Sequence, residues 1–414
     1  MADDIAEILD FPMLRPKDRP FALAPEYEDL RARCPVAPVK QWDGGTAWLV
    51  SRYEDQRAIL ADPRASSDNR RTGFPFPSKA AASRAGIRTL VTMDDPEHAE
   101  HRNMLTKHFT VQRANELRPL IRQVVDEVID EMTSTLPPID LVDAFAKPVP
   151  TRIMCAFLGV PYSERRFVQE RSPILGSPTA TPEQSRTAAR ELGEFFGKLI
   201  DAKMSDPADD VLSELVTKHV KTGKLTREGA INMAALIMNA GHDTMQNMIA
   251  LGVLTLLEHP GELARLRESD DPELAAGAVD ELLRYLNVAQ NGRRRVALED
   301  IEVAGQVIRA GEGIIMPTES GNRDERFFAD PEVLDVGRAP RHQIAFAYGI
   351  HQCLGQALAR VELEIAYTTL LRRIPSLRLA TPLAQIEFNR DTVIYGVREL
   401  PVSWLDVNPT CGGA

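Results

Sequence analysis

Cys353 stands in the run Phe346-Ala347-Tyr348-Gly349-Ile350-His351-Gln352-Cys353-Leu354-Gly355, just ahead of a helical pattern carried by Leu354, Leu358, Val361 and Ile365. A thiolate needs positive potential, and the first turn of a helix offers a dipole and free backbone N–H groups. Cys353 is therefore suited to metal ligation. Gly349 admits a backbone turn that a side chain would hinder, and Gly355 admits close approach of a flat group. Phe346 is placed to shield the sulfur from water, and His351 to reach an anion. A second constellation, Ala240-Gly241-His242-Asp243-Thr244, lies in the middle of a long apolar stretch. A glycine inside a helix costs about 1 kcal/mol relative to alanine, so Gly241, next to Ala240, implies a close neighbour. Asp243 and Thr244 pair an acid with a hydroxyl, which is what protonation of a reduced oxygen species requires. His98 and Arg102, four residues apart on one helix face, form a pair of cationic donors for a carboxylate.

These residues need elements to hold them. Thr226–Glu258 reads as the longest helix; at 1.5 Å per residue it spans roughly 50 Å, the width of a whole domain. Asp95-Pro96 starts the helix that carries His98 and Arg102, with Asp95 as its cap. A short helix is expected near Pro25–Arg33 and another over Tyr53–Leu60. Between them a hairpin pairs Val39–Trp42 with Ala47–Ser51 around Asp43-Gly44-Gly45. Asn69–Ala85 has no period and reads as a loop. Glu116–Asp210 is mostly amphipathic helix, broken at Pro137-Pro138, Pro148–Pro150 and Gly176–Pro182. Residues 300–317 read as short strands, and Val393–Trp404 as a final hairpin with Ile394 and Tyr395 near its tip. Glu281 and Arg284 lie one turn apart on a further helix.

Composition narrows the class. Lys+Arg 49 against Asp+Glu 60 leaves a net charge of −11, which argues against nucleic acid or an anionic membrane as partner. Cys34, Cys155, Cys353 and Cys411 show no paired spacing, which suits a reducing, cytoplasmic compartment. The acidic start and the early Pro12 and Pro16 leave no apolar run for a signal or an anchor.

Phe-x-x-Gly-x-His-x-Cys-x-Gly, Ala-Gly-x-Asp-Thr, His98-x-x-x-Arg102, Glu281-x-x-Arg284 and Arg338 occur in one order from about Val39 to Trp404. Together they resemble the cytochrome P450 family, soluble actinobacterial members above all. The resemblance implies a mainly α fold with small β-sheets (α+β). It also implies one domain over residues 1–414, with an extended lead (1–38) and a loose tail (408–414). A haem b lies between the long central helix and the Cys353 loop. Cys353 is then the axial iron ligand. His98, Arg102, Arg295 and His351 meet the propionates; Ala240, Gly241, Phe346 and Gly355 adjoin the macrocycle. Asp243 and Thr244 serve oxygen activation, and Val288, Ala289 and Ile394 face substrate. Glu281, Arg284 and Arg338 form a structural lock. The implied activity is hydroxylation or epoxidation of a hydrophobic small molecule by a monomer, using O2 and electrons from a ferredoxin. Lys107, Arg113 and Arg360 are candidates to dock that ferredoxin. Two alternatives share the fold: NADH-dependent nitric oxide reduction, whose fungal branch lacks an acid before the threonine, and a non-catalytic haem protein, which would not need both Cys353 and Asp243.

Overall fold

The computed structural model describes residues 8–177 and 179–409. The helices that frame the site are α1 (Glu26–Arg33), α2 (Tyr53–Ala61), α3 (Glu97–Thr106), α4 (Arg118–Thr133), α5 (Pro148–Leu158), α6 (Arg165–Gly176), α7 (Pro182–Ser205), α8 (Arg227–Glu258), α9 (Pro272–Leu286) and α10 (Gln356–Arg373). The helix Pro260–Glu268 and shorter helical segments fill the connections. The fold is mainly α with small sheets, as expected from the resemblance.

The central helix α8 runs unbroken for 32 residues. Thr226 caps it by accepting from the Gly229 N–H at 3.0 Å, and Pro260 ends it because the residue before a proline avoids the helical region. Its second half is buried on every side, Met248 to Leu256 without exception. A helix that is apolar all round belongs inside a protein. α5, α7, α9 and α10 pack around it, and α4 packs outside them on α5 and α10. Paired charges fasten α4 to α10 at both ends: Arg118 meets Glu364 through two hydrogen bonds of 2.9 and 2.8 Å, and Arg373 meets Asp126 and Asp130 at 2.8 and 2.6 Å.

The larger sheet has the order β1-β2-β3-β9-β6-β4, with β1 (Leu9–Asp10), β2 (Val36–Lys40), β3 (Thr46–Val50), β4 (Ala65–Ser66), β6 (Arg293–Ala297) and β9 (Gly313–Met316). β2 and β3 are the expected hairpin, started three residues earlier, with Val36 opposite Val50. β7 (Ile301–Val303) and β8 (Gln306–Ile308) pair with each other.

Three expectations are corrected. Val393–Trp404 is not one hairpin: Phe388 bridges Val397, whereas β11 (Pro401–Ser403) lies between β10 (Arg378–Leu379) and β5 (Ile139–Asp140). The loop Asn69–Ala85 contains a helical turn, Lys79–Ala82, capped by Ser78. Asn408 is not loose: its N–H donates to Arg373 O at 2.7 Å and its side chain to Arg372 O at 2.9 Å. Residues 410–414, Cys411 among them, lie outside the described residues.

The buried lock is a network. Arg284 donates to both Glu281 oxygens at 2.8 Å, and Arg338 Nε donates to Glu281 Oε1 at 3.1 Å. The other guanidinium hydrogens of Arg284 meet the carbonyls of Asn322 and Pro331, each at 2.9 Å. A buried ion pair is tolerable when its remaining donors are satisfied in this way.

Candidate active site

The Cys353 loop is shaped by its own backbone. The Cys353 N–H donates to Phe346 O at 2.9 Å and the Gln352 N–H to Gly349 O at 3.0 Å, folding the run back on itself. Gly349 has φ +73, and a Cβ there would stand 2.3 Å from Leu60 O. Only glycine satisfies both conditions. α10 begins at Gln356, so Cys353 lies just ahead of it, two residues before the N-cap Gly355. The Gly355 N–H nevertheless points to the sulfur.

Burial pushes the Cys353 thiol up; the Gly355 N–H, Arg293, Arg102 and Arg360 pull it down. By area the cysteine counts as exposed, whereas protein atoms surround it closely. The neighbouring charges therefore act on the sulfur through protein rather than through bulk water. Phe346 is half-buried and carries the Arg360 guanidinium 4.8 Å over its ring.

Four residues named from sequence converge beside this loop. The rings of His98 and His351 are 4.3 Å apart. Arg102 donates to Gln352 O at 2.8 Å, and Arg295 is buried on β6. Pro96, not Asp95 as expected, stands at the N-cap of α3; Asp95 before it accepts the Ala99 N–H at 3.1 Å and lies 3.3 Å from His98 Nδ1, which orients the imidazole. His98 Nε2 is buried without a partner among the described residues. His351 Nε2 lies 2.6 Å from Ser67 Oγ, which also hydrogen-bonds Asp94. Burial, then the guanidiniums of Arg295 and Arg102 and the His98 ring, push His351 down to about 3. Burial likewise lowers His98, and it lowers Arg295 to about 10.

Arg293 is a residue that the sequence reading passed over. Strand alternation puts it on the same face as Arg295, with Arg294 turned away to Pro75 O at 2.7 Å. Arg293 donates to Ala345 O at 3.1 Å, and its Nε is buried without a partner among the described residues. The period of two within Arg293-Arg294-Arg295 was the available signal.

Burial leaves the two imidazoles neutral donors beside the guanidiniums of Arg102, Arg293 and Arg295, and buried guanidiniums are favoured opposite anions. The cluster fits a ligand with two carboxylates. Among the described residues no three His, Cys, Asp or Glu side chains could hold a metal ion, so a metal bound to Cys353 must bring its other ligands with it. A porphyrin iron meets both conditions, and the donor set fits haem.

On α8, Ala240 is exposed and Asp243 and Thr244 are half-buried. Thr244 Oγ1 donates to Ala240 O at 2.6 Å, a back-bond that holds the hydroxyl against its own helix. Burial raises Asp243 to about 6. Asn247, one turn on, donates to Asp243 O at 2.8 Å. A Cβ at Gly241 would lie 2.5 Å from Met154 Sδ, so its smallness serves the contact with α5. For Gly355 a Cβ would meet Phe109 at an ordinary 3.9 Å.

Val288, Ala289 and Ile394 are brought together. Ala289 bridges Ile394, and the Tyr395 N–H donates to Val288 O at 2.7 Å. Tyr395 itself is buried elsewhere, its hydroxyl on Pro20 O at 2.8 Å. Just beyond, a Cβ at Gly396 would overlap Asn247 Oδ1 at 1.6 Å, so this loop presses directly on α8.

The cations expected to dock a partner are already engaged. Lys107 pairs with Glu214, Arg113 with Glu116 at 3.0 Å, and Arg360 with Asp280 at 2.9 Å. A cleft of about 670 Å³ leads toward Cys353 between α3, α4 and α10, lined by Arg102, Phe109, Arg118, Leu354 and Arg360 among others.

The family model described as Cytochrome P450 matches residues 183–375. Cytochrome P450 GfsF of Streptomyces halstedii is 44% identical over 411 residues, covering 97% of this chain and 98% of the relative. Vitamin D3 dihydroxylase of Streptomyces griseolus is 42% identical, covering 93% and 95%. Among solved structures, mycinamicin VIII C21 methyl hydroxylase of Micromonospora griseorubida, bound to mycinamicin VIII, superposes with a TM-score of 0.91 at 40% identity, over 96% of this chain and 100% of that one.

Proposed function

This chain belongs to the cytochrome P450 family and is a monooxygenase like its named hydroxylase relatives; from that premise we propose that it hydroxylates or epoxidises a hydrophobic small molecule of polyketide, terpenoid, secosteroid or xenobiotic class. The cofactor is haem b, and the two electrons come from a ferredoxin and its reductase. The enzyme works as a cytoplasmic monomer. Among the described residues no helix is long and apolar enough to cross a membrane.

When bound, haem supplies thiolate-assisted O–O cleavage and oxygen transfer. The rest falls to side chains of this chain. Cys353 ligates through its sulfur, and the Gly355 N–H with Arg102, Arg293 and Arg360 favours the thiolate. His98, Arg102, Arg295 and His351 hold the carboxylates of the cofactor. Asp243, at about 6, is poised to exchange a proton near neutral pH, which is where a general acid works best. Thr244 would relay it: with its hydroxyl turned from Ala240 O, it gives its own proton onward into the site as it accepts the one from Asp243, and so stays neutral. Val288, Ala289 and Ile394 exclude water from the substrate side.

The single observation that carries the substrate class is the Ala289–Ile394 bridge, which gathers apolar side chains from two distant segments into one wall. Relatives whose names specify a macrolide or vitamin D3 add to it. The cleft behind Cys353 supports the docking of an electron donor on that side. The test is titration of the ferric protein with macrolactones, terpenoids, secosteroids and aromatic drugs, followed at the Soret band. A saturable high-spin shift, with product formed in the presence of ferredoxin and reductase, is the expected result. A protein that shifts with none of them and oxidises none of them refutes the substrate class.

A further inference from the structure

Glu319, on the helical turn Thr318–Gly321, is a buried acid with no part in the oxygen chemistry. Asn287 Nδ2 donates to its Oε2 at 3.4 Å, and the backbone N–H groups of Asn291 and of Glu319 itself point to it. The titratable groups that face it come from three segments: Arg15 of the lead, Tyr27 of α1, and Arg293 and Arg294 of β6. Burial keeps the Tyr27 phenol well above its ordinary range, so it stays neutral. Three guanidiniums therefore face one carboxyl. Arg15 Nη1 and Arg293 Nε are buried without a hydrogen-bond partner among the described residues.

Arg293 connects this group to the Cys353 loop. In the sheet it stands opposite Met316, and Met316 leads through Pro317 into the turn that carries Glu319. Elsewhere its guanidinium donates to Ala345 O at 3.1 Å, next in the chain to Phe346 of the Cys353 run. Burial lowers the Arg293 guanidinium, and Cys353 and Glu319 both pull it back up. One cation is thus shared by two anions. Charge on Glu319 offsets part of the field that Arg293 exerts on the sulfur, and loss of that charge restores it.

We propose that Glu319, held beside Arg293, is a redox-linked proton acceptor: it takes up one proton from solvent as the iron on Cys353 gains one electron from its donor, and so sets the potential at which that electron enters. Glu319 touches no reacting atom; it is a positioning residue that shares Arg293 with the sulfur. The relay rests on the haem reading of the site but not on the identity of the substrate.

The test is the midpoint potential of the holoprotein against pH, by spectroelectrochemistry at the Soret band. Burial raises Glu319 to about 7 against the pull of Arg15 and Arg293. Below that pH the acid is neutral, Arg293 acts undiminished and reduction is favoured; above it the carboxylate opposes reduction. Unit charges roughly 10 Å apart at an effective dielectric of about 20 change one another's equilibria by about tenfold. Tenfold is about 59 mV for one electron, so the parental potential should fall by about that much as pH rises from about 6 to about 9. Glu319→Gln should remove the fall and hold the potential near the parent's acid value. Arg293→Gln should lower the acid value, and Arg293→Lys should keep it. In the Arg293→Gln background the carboxyl, without its nearest cation, holds its proton to higher pH, so adding Glu319→Gln should move the potential at about pH 8 far less than it does in the parent. A Glu319→Gln protein that retains the parental fall, or whose potential at the upper pH lies below the parent's, overturns the relay. If Arg293→Gln does not load haem, the Glu319→Gln profile decides alone. A parent whose reduced carbonyl complex lacks the red-shifted thiolate band would instead sink the haem reading, so the two failures are told apart.

Discussion

Asp243 should lower the stability of the fold at neutral pH, and Asp243→Asn should restore it. Burial raises this carboxyl from its ordinary 3.8 to about 6. A folded-state value above the unfolded one means that the native state holds the proton more tightly. Stability is then fully present below the unfolded value and is lost as pH rises through about 6. Two units correspond to about 3 kcal/mol at about pH 7.5, and to roughly half of that at about pH 5. With an unfolding entropy of about 2 cal/mol/K per residue, 3 kcal/mol shifts the midpoint of a chain this long by about 3–4 °C. The assay is scanning calorimetry of the haem-loaded parent and variant at the two pH values. The variant should melt about 3 °C higher at the upper pH, and the gap should halve at the lower. The same change removes the acid, so product formed per NADH should fall. A variant that is no more stable at either pH, or whose advantage grows on acidification, would refute the account.

Three further outcomes follow from the geometry. Gly349→Ala places a Cβ against Leu60 O at a positive φ, and should cost about 1–3 kcal/mol in urea unfolding. Glu281→Gln leaves Arg284 and Arg338 facing a neutral amide in a dry site. Breaking such a network should cost about 3–5 kcal/mol and lower the yield of haem-loaded protein. His98→Leu removes the buried, unpartnered Nε2; transfer of haem to an apoglobin should speed by about tenfold, while Asp95 keeps the helix start through the Ala99 N–H.

What could be read from sequence were features with a local cause. α8 follows from a long apolar stretch with a capping threonine and a terminating proline. The Cys353 loop follows from glycines at fixed offsets. What could not be read depends on partners distant in the chain. Nothing near Gly241 announces Met154, and nothing near His242 announces Thr151 and Gln169. Two-residue strands such as β5 and β10 are too short to show a period, so the place of β11 between them was hidden. Lys107, Arg113 and Arg360 read as free charge because their carboxylate partners are fixed by side-chain geometry, in two of the three cases far along the chain.

The contact of Gly396 with Asn247 bears on how this pocket can diversify. A loop pinned to the central helix by a missing side chain cannot accept substitution at that point without displacing Asn247, and with it the bond to Asp243 O. Selection for new substrates is thereby channelled. On the proposed substrate role of Val288, Ala289 and Ile394, exchanges there would reshape the wall while leaving Asn247 and Asp243 in place, whereas exchanges at Gly396 would trade one against the other. A library built for altered specificity should recover Gly396 unchanged in its active members.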